Sequence, residues 1–264
     1  MMLSLNTKSL KKHYQALREE VYFVDKKWPQ FDILFDDILA LSKKYKKNNN
    51  VISIERGALY GNISVFAPFF HSVNFLSVDC SEEKIKKRGA YNKNFTVNKD
   101  IIKIPIDVHT DYKKLKIKQR SADLILIPNL MHHIYDHKFL IRKCSKILKK
   151  NGKLYIFEPT LREIHQKPSD YFRFTPYGMK RILEDCGFKV IKTNLSGGPF
   201  SATAYCWDQA IQYLPLRERV KYKRFIISDN IRSIVSLDNK YRKNNLRKHT
   251  MFPLSFSVLA KNEK

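Results

Sequence analysis

Residues 121–159, SADLILIPNLMHHIYDHKFLIRKCSKILKKNGKLYIFEP, restrict the fold of this chain more than any other stretch, because they set strand, helix and strand in a row. ADLILI is an unbroken apolar run of strand length between polar residues, the pattern of a strand covered on both faces. Asp136 is of the N-cap type, and Leu140, Cys144, Ile147 and Leu148 recur at i, i+4, i+7 and i+8, forming one apolar helix face. Asn151-Gly152 is expected to stop that helix, after which KLYIFEP reads as a second buried strand. The connection is long enough for the right-handed crossover of a parallel pair, so the segment predicts a βαβ unit. Ligands of such sheets bind beyond the carboxyl ends of the strands, which sets residues 129–133 and 158–160 at the rim of a pocket.

Asp123, the turn over residues 129–134, the run LKKNGK and the pair Glu158-Pro159 resemble, in order and spacing, the late half of the class I S-adenosylmethionine-dependent methyltransferase domain. That family has an acidic residue opening the fourth strand, a polar-apolar-His turn after it, a helix closing on Leu-Lys-x-Gly-Gly, and a fifth strand ending in an acidic-Pro pair. The resemblance implies an α/β fold with a Rossmann-like, doubly wound sheet of seven strands, and S-adenosylmethionine as cofactor. Rossmann dehydrogenases share the strand-helix-strand rhythm, but the combination of motifs is more restrictive than one glycine motif.

From Val51 onward, strand-like runs alternate with helical ones: VISIE, FLSVD, IIKIP, ADLILI, KLYIF, FKVIKTNL and LSFSVLAK, seven in all. Residues 1–50 read as two helices broken near Trp28-Pro29, an N-terminal cap whose second helix presents Leu34, Phe35, Ile38 and Leu41 on one face. Residues 51–264 then form the methyltransferase domain, with a helical insertion around 200–253 in which 205–214 and 224–237 look helical. With Trp207, Tyr213 and Phe225, that insertion suits a partner, a membrane surface, or a cap packed on the sheet.

At 264 residues and 43% hydrophobic content the chain can bury one sizeable core. No apolar run approaches the ~20 residues of a membrane span, and MMLSLNTKSLKKHY holds too short a greasy stretch for a signal peptide, so a cytosolic protein is expected. Cys80, Cys144, Cys186 and Cys206 lack C-x-x-C spacing, which argues for reduced thiols and against a zinc site or a disulfide framework. The net charge of +25 has two readings. It makes a positive surface that attracts nucleic acid, anionic lipid headgroups or an acidic glycan. Alternatively, an AT-rich genome inflates Lys, Asn and Ile everywhere, as KKYKKNNN suggests, and no arginine-rich arm, ribonucleoprotein motif or zinc finger accompanies the charge.

If the resemblance holds, VISIERGALYGN is the cofactor turn, where glycines let the backbone approach the methionine and ribose parts closely. The family shows an acid followed by Gly-x-Gly-x-Gly; here Glu55 aligns with the acid, Gly57 and Gly61 with the outer glycines, and Leu59 stands at the middle one. Aligning Ser53 with the acid instead loses the first glycine to Glu55. Asp79, with Cys80 beside it, ends FLSVDC, and a carboxylate there accepts both ribose hydroxyls. A dinucleotide site uses an acid in the same place. Asp107 matches the family's adenine contact, and Asn129 opens the turn beside the cofactor. His132 and His133 invite a metal reading, but adjacent histidines at a strand exit are expected to diverge, and no third ligand is spaced for zinc, so no metal is assigned.

The segment EPTLREIHQKPSDYFRFTPYGMK resembles the His-x-x-Pro-x-Asp-Tyr-aromatic-Arg-aromatic-Thr signature of type 11-like methyltransferases, often associated with surface-glycan and other sugar-modifying pathways. This implies an acceptor site in the loop after the fifth strand. There His165 takes a hydroxyl proton, Arg173 holds an anionic or polyhydroxylated substrate, and Tyr171 stacks on a sugar ring. The plainer reading is that Thr175-Pro176 is an N-cap and N1 pair and that Asp170-Arg173 is a local salt bridge shaping the loop. The expected activity is O-methylation of a sugar or other small polar metabolite. A binding or scaffold protein with an eroded cofactor turn is the alternative, and a nucleic-acid methyltransferase is less favoured, because IPNLMHH stands where base amino methyltransferases carry Asn/Asp-Pro-Pro-aromatic.

Overall fold

The computed structural model describes residues 29–45, 48–55, 70, 73–77, 103–105, 117–164, 168, 170–227, 231–242 and 252–264. Within them seven strands join in one sheet: β1 (Val51–Glu55), β2 (Val73–Ser77), β3 (Lys103–Pro105), β4 (Ala122–Pro128), β5 (Leu148–Pro159), β6 (Phe188–Ser196) and β7 (Ser255–Asn262). Their spatial order is 3-2-1-4-5-7-6. The first five are parallel, and β7 runs antiparallel between β5 and β6. The chain winds outward from β1 to β3 and then returns to place β4 on the other side of β1. That reversal opens a crevice past the carboxyl ends of β1 and β4, and it locates the site.

The central strands carry mostly apolar residues because both faces are covered, and the pleat sends successive side chains to opposite sides. Ile52, Ile54, Ile125, Ile127, Leu154 and Ile156 face one way, against α2 (His137–Ile147) and α3 (Pro176–Asp185). Val51, Leu124, Leu126, Tyr155 and Phe157 face the other, against α1 (Asp32–Lys44) and α4 (Pro199–Ile211). Each fully buried Ile or Leu, such as Ile54 or Leu126, contributes about 1.5–3 kcal/mol of transfer free energy.

Asp136 caps α2 by accepting from the Phe139 amide, and Thr175 caps α3 through Gly178 N–H, with Pro176 at the first helical position. Asn151-Gly152, expected to stop α2, does not. The helix ends at Ile147, and Asn151 instead takes a left-handed φ of 65° inside a bulge of β5, where Leu148 pairs with Ala122 and Lys153 with Leu124. A Cβ on Gly152 would approach Lys149 O to 2.9 Å, which explains the glycine.

One carboxylate fastens α1 to three strands. Asp37 accepts from Tyr155 Oη of β5 (3.3 Å), Asn194 Nδ2 of β6 (2.8 Å) and Ser257 Oγ of β7, with Lys192 Nζ at 3.7 Å. Burial and the nearby Asp37 charge raise the Tyr155 phenol well above its ordinary pKa. The N-terminal half of the expected cap, residues 1–28, lies outside the described residues.

The insertion holds α4, α5 (Leu216–Ile227) and α6 (Ile231–Arg242); the helix expected over 224–237 overlaps both of these, with residues 228–230 outside the described residues, and the one expected over 205–214 begins earlier and ends at Ile211. Asp238 of α6 reaches the start of α4, accepting from the amides of Phe200 and Ser201 at 3.0 Å each and from Ser201 Oγ. A Cβ at Gly198 would collide with that carboxylate. Asp238→Ala is therefore expected to lower stability by about 1–2 kcal/mol, a lost helix cap, and Gly198→Ala by a comparable amount; urea midpoints equal to the parent's would refute the latch.

Candidate active site

Asn129 follows β4 in a left-handed turn (φ 55°) and donates its amide to Phe157 O of β5 at 2.8 Å. Its side-chain Oδ1 is buried and has no hydrogen-bond partner among the described residues. On the neighbouring strand Glu55 closes β1, is buried, and accepts a short hydrogen bond from Ser53 Oγ. The β1–β4 register, Ser53 opposite Leu126, brings both residues to the same end of the sheet. Two buried oxygen acceptors at a strand reversal suit a cationic ligand group rich in N–H donors, such as the α-ammonium of S-adenosylmethionine.

Past Asn129 the chain forms a 3-10 turn, Met131–His133, which is held by one carboxylate. Glu158, at the end of β5, accepts from the amides of Leu130 (2.9 Å), Met131 (2.6 Å) and His132 (3.3 Å) and contacts His132 Nδ1 at 2.6 Å. Glu158 and His132 are 0% exposed and His133 is 2% exposed, so these residues lie in the interior and not at the expected rim. Burial pushes the Glu158 carboxyl up to about 8, against the lowering effect of the three amides and of the Arg173 charge.

His132 and His133 also depart from expectation. They do not diverge: their rings meet at a tilt of 44° with centroids 4.0 Å apart, and one ring nitrogen of each gathers with an Asp170 oxygen within 4.8 Å of one another. A 3-10 turn carries consecutive side chains about 120° apart, which allows this convergence where an extended strand exit would not.

The loop leading to α3 packs on this turn. Tyr171 donates its amide to His132 O at 2.9 Å, and its ring meets Tyr135 edge-on at 5.4 Å. Phe172 and Phe174 both meet the His137 ring edge-on, with centroids 4.9 and 5.3 Å from it. Tyr171 and Tyr135 are 37% and 72% exposed, leaving aromatic surface beside the His132 turn.

Arg173, expected to grip an anionic acceptor, spends all five N–H donors on the protein. Nη1 and Nη2 make a bidentate pair with Asp170 (2.6 and 2.8 Å), while Phe172 O, Glu163 O and Arg162 O take the remaining three. It is a brace for the loop. Of the other residues singled out in the sequence, Gly57, Gly61, Asp79, Cys80, Asp107 and His165 lie outside the described residues. Among the described cysteines, Cys144 and Cys186 are buried and Cys206 is exposed, and burial pushes the Cys144 thiol up to about 12. Glu158 is the residue whose role the sequence understated. Its signals in the sequence were the acidic-Pro pair closing the fifth strand and the expected βαβ unit, whose parallel pairing sets that end beside the turn after β4.

Comparison with known proteins agrees with this geometry. A family model described as a methyltransferase domain (type 11) matches residues 57–156. No curated protein matches the chain in sequence. Solved structures of similar fold include an S-adenosylmethionine-dependent methyltransferase from Archaeoglobus fulgidus, 16% identical, covering 94% of this chain and 99% of that one, at a TM-score of 0.51. The complex between the Haloferax volcanii Trm112 methyltransferase activator and its methyltransferase is 12% identical, with 96% and 95% coverage and a TM-score of 0.54. A Galdieria sulphuraria protein assigned as a sarcosine dimethylglycine methyltransferase is 13% identical, with 88% and 84% coverage and a TM-score of 0.52. Residues 57–156 thus match a methyltransferase domain, and the solved structures share the fold of the chain.

Proposed function

We propose that this protein transfers a methyl group to an oxygen of a small polar acceptor, a sugar or a sugar-derived metabolite. The domain spans residues 51–264, residues 1–50 form its cap, and helices are inserted around 200–253. The observation that carries the reading is the pair of buried acceptors, Glu55 and Asn129 Oδ1, at the reversal between β1 and β4, with the aromatic surface of Tyr171 and Tyr135 beside the His132 turn. S-adenosylmethionine supplies a methyl group already activated by its sulfonium. Glu55 and Asn129 would accept hydrogen bonds from its amino end, Gly57 and Gly61 would let the backbone approach, Asp79 with Cys80 would receive the ribose hydroxyls, and Asp107 would receive the adenine amino group.

The remaining work is alignment and proton removal. His165 takes the acceptor hydroxyl proton, and Tyr171 presents an aromatic face to the acceptor ring. Arg173 acts as a positioning residue: through Asp170 and the carbonyls of residues 162, 163 and 172 it holds Tyr171 against the His132 turn.

Calorimetric titration of the purified protein with S-adenosylhomocysteine tests the cofactor site. Asp79→Ala removes a bidentate acceptor from two hydroxyls and is expected to weaken binding by about 2 kcal/mol, near 30-fold. An unchanged Kd in a variant with an intact circular dichroism spectrum would remove Asp79 from the site. No binding heat in the parent protein would favour the scaffold reading, for which the one specific sign is Leu59 in place of the family's middle glycine.

A further inference from the structure

We propose that the outward face of α5 docks on an anionic lipid bilayer, a role separate from methyl transfer. The helix LRERVKYKRFII carries five basic residues and one acidic residue. At 100° per residue, Leu216, Val220, Arg217 and Lys221 fall on one side of it, two apolar and two cationic. All four are exposed, Leu216 by 74% and Val220 by 53%, and Tyr213, in the turn just before, is 89% exposed. Glu218, also exposed, lies beside Lys221 at the edge of this face, where it offsets one of the basic charges.

The face is held outward by its neighbours. Arg219, on the inward side, spends its guanidinium on the α4–α5 turn, donating to Leu214 O (3.0 Å), Gln212 Oε1 (3.1 Å) and Gln212 O (2.6 Å). Trp207 of α4 donates its indole N–H to Tyr222 O at 3.5 Å. With Arg219 and Tyr222 anchored, Leu216 and Val220 cannot turn inward.

Charge decides the kind of surface. Residues 216–249 hold eleven Lys and Arg against three Asp and Glu, and one of those acids, Asp238, is buried as the cap of α4. A basic segment with exposed aliphatic and Tyr side chains matches a negatively charged interface with hydrocarbon beneath it. Tyrosine favours the headgroup level of a bilayer, whereas a phosphodiester backbone offers nothing to Leu216 or Val220. No helix among the described residues is long and apolar enough to cross a membrane, so the contact is peripheral.

The test is co-sedimentation of the full chain with vesicles of phosphatidylcholine alone and with added phosphatidylglycerol, at about 0.15 M ionic strength, where weak surface attraction is screened. The parent chain is expected to pellet with the anionic vesicles and not with the neutral ones. Leu216→Ser/Val220→Ser and Arg217→Glu/Lys221→Glu alter exposed positions only, and each pair is expected to lower the partition coefficient tenfold or more with unchanged circular dichroism. The proposal is overturned if the parent ignores anionic vesicles or if neither pair of substitutions changes its binding. It is also overturned if Arg217→Glu/Lys221→Glu weakens binding to duplex DNA or RNA while Leu216→Ser/Val220→Ser leaves vesicle binding intact, which would make the face a nucleic-acid contact.

Discussion

Glu158→Ala is expected to cost about 3–5 kcal/mol of folding stability, because it removes the single acceptor of three buried amides and of His132 Nδ1 while supplying nothing in its place. Against a total of about 5–15 kcal/mol for a typical domain, that loss leaves a marginal protein, read as a collapse of the urea midpoint or as insolubility at 37 °C. Glu158→Gln is the graded probe: it keeps one oxygen for one pair of donors and turns an NH2 toward the other, so an intermediate loss is expected. Midpoints within error of the parent's for both variants would remove Glu158 from its place as the keystone of the turn.

The same residue makes stability depend on pH. Its folded-state pKa of about 8 lies above the ordinary 4.5, so the folded chain binds more protons than the unfolded one between those values. The favourable contribution is complete below about pH 4.5, declines as pH rises, and is gone above about pH 8. Glu158→Gln, less stable overall, is expected to lack that slope. Parallel stability curves for the two proteins across pH 5–8 would show that Glu158 does not titrate there.

Arg173→Ala should be nearly as damaging, and for a reason unrelated to touching the acceptor. The Asp170 carboxylate is 2% exposed and would lose its bidentate partner, a penalty of about 3–5 kcal/mol. The loop carrying Tyr171 would lose its ties at residues 162, 163 and 172, and turnover is expected to fall by ~10² or more while S-adenosylhomocysteine affinity stays within about twofold. Adding Asp170→Asn to Arg173→Ala should restore part of the stability, since the side chain that loses its bidentate partner is then neutral. Arg173→Lys should rescue little, because one ammonium cannot satisfy five acceptors. If Arg173→Ala instead leaves the urea midpoint unchanged and raises only KM, Arg173 is a substrate clamp.

These contrasts mark what the chain discloses to inspection. Strands buried on both sides are legible because they leave continuous apolar runs, and each of the seven runs overlaps a described strand, as FLSVD does Val73–Ser77. Caps are legible because they are local: Asp136 and Thr175 act as their spacing implies. Asn151-Gly152 misleads because the same dipeptide that ends helices also accommodates a bulge, and the choice falls to the pairing of Leu148 and Lys153 with β4. The convergence of His132 and His133 depends on a 3-10 turn that Glu158 imposes from 26 residues away, and no local pattern carries that information. Arg173 was ambiguous for a related reason. An arginine in a loop reads equally as clamp or brace until its five donors are followed to their acceptors.

The position of β7 has a consequence for the order in which the molecule can be completed. It is the last strand of the sheet in the chain, yet it lies between β5 and β6, and its Ser257 shares Asp37 with the first described helix. While the polypeptide is being made, β5 and β6 emerge with open edges facing a gap, and α1 lacks part of its polar anchor until residues 255–262 leave the ribosome. An unpaired strand edge recruits other chains, so the interval between the synthesis of Ser196 and Asn262 is when this protein is most exposed to aggregation and most in need of a chaperone.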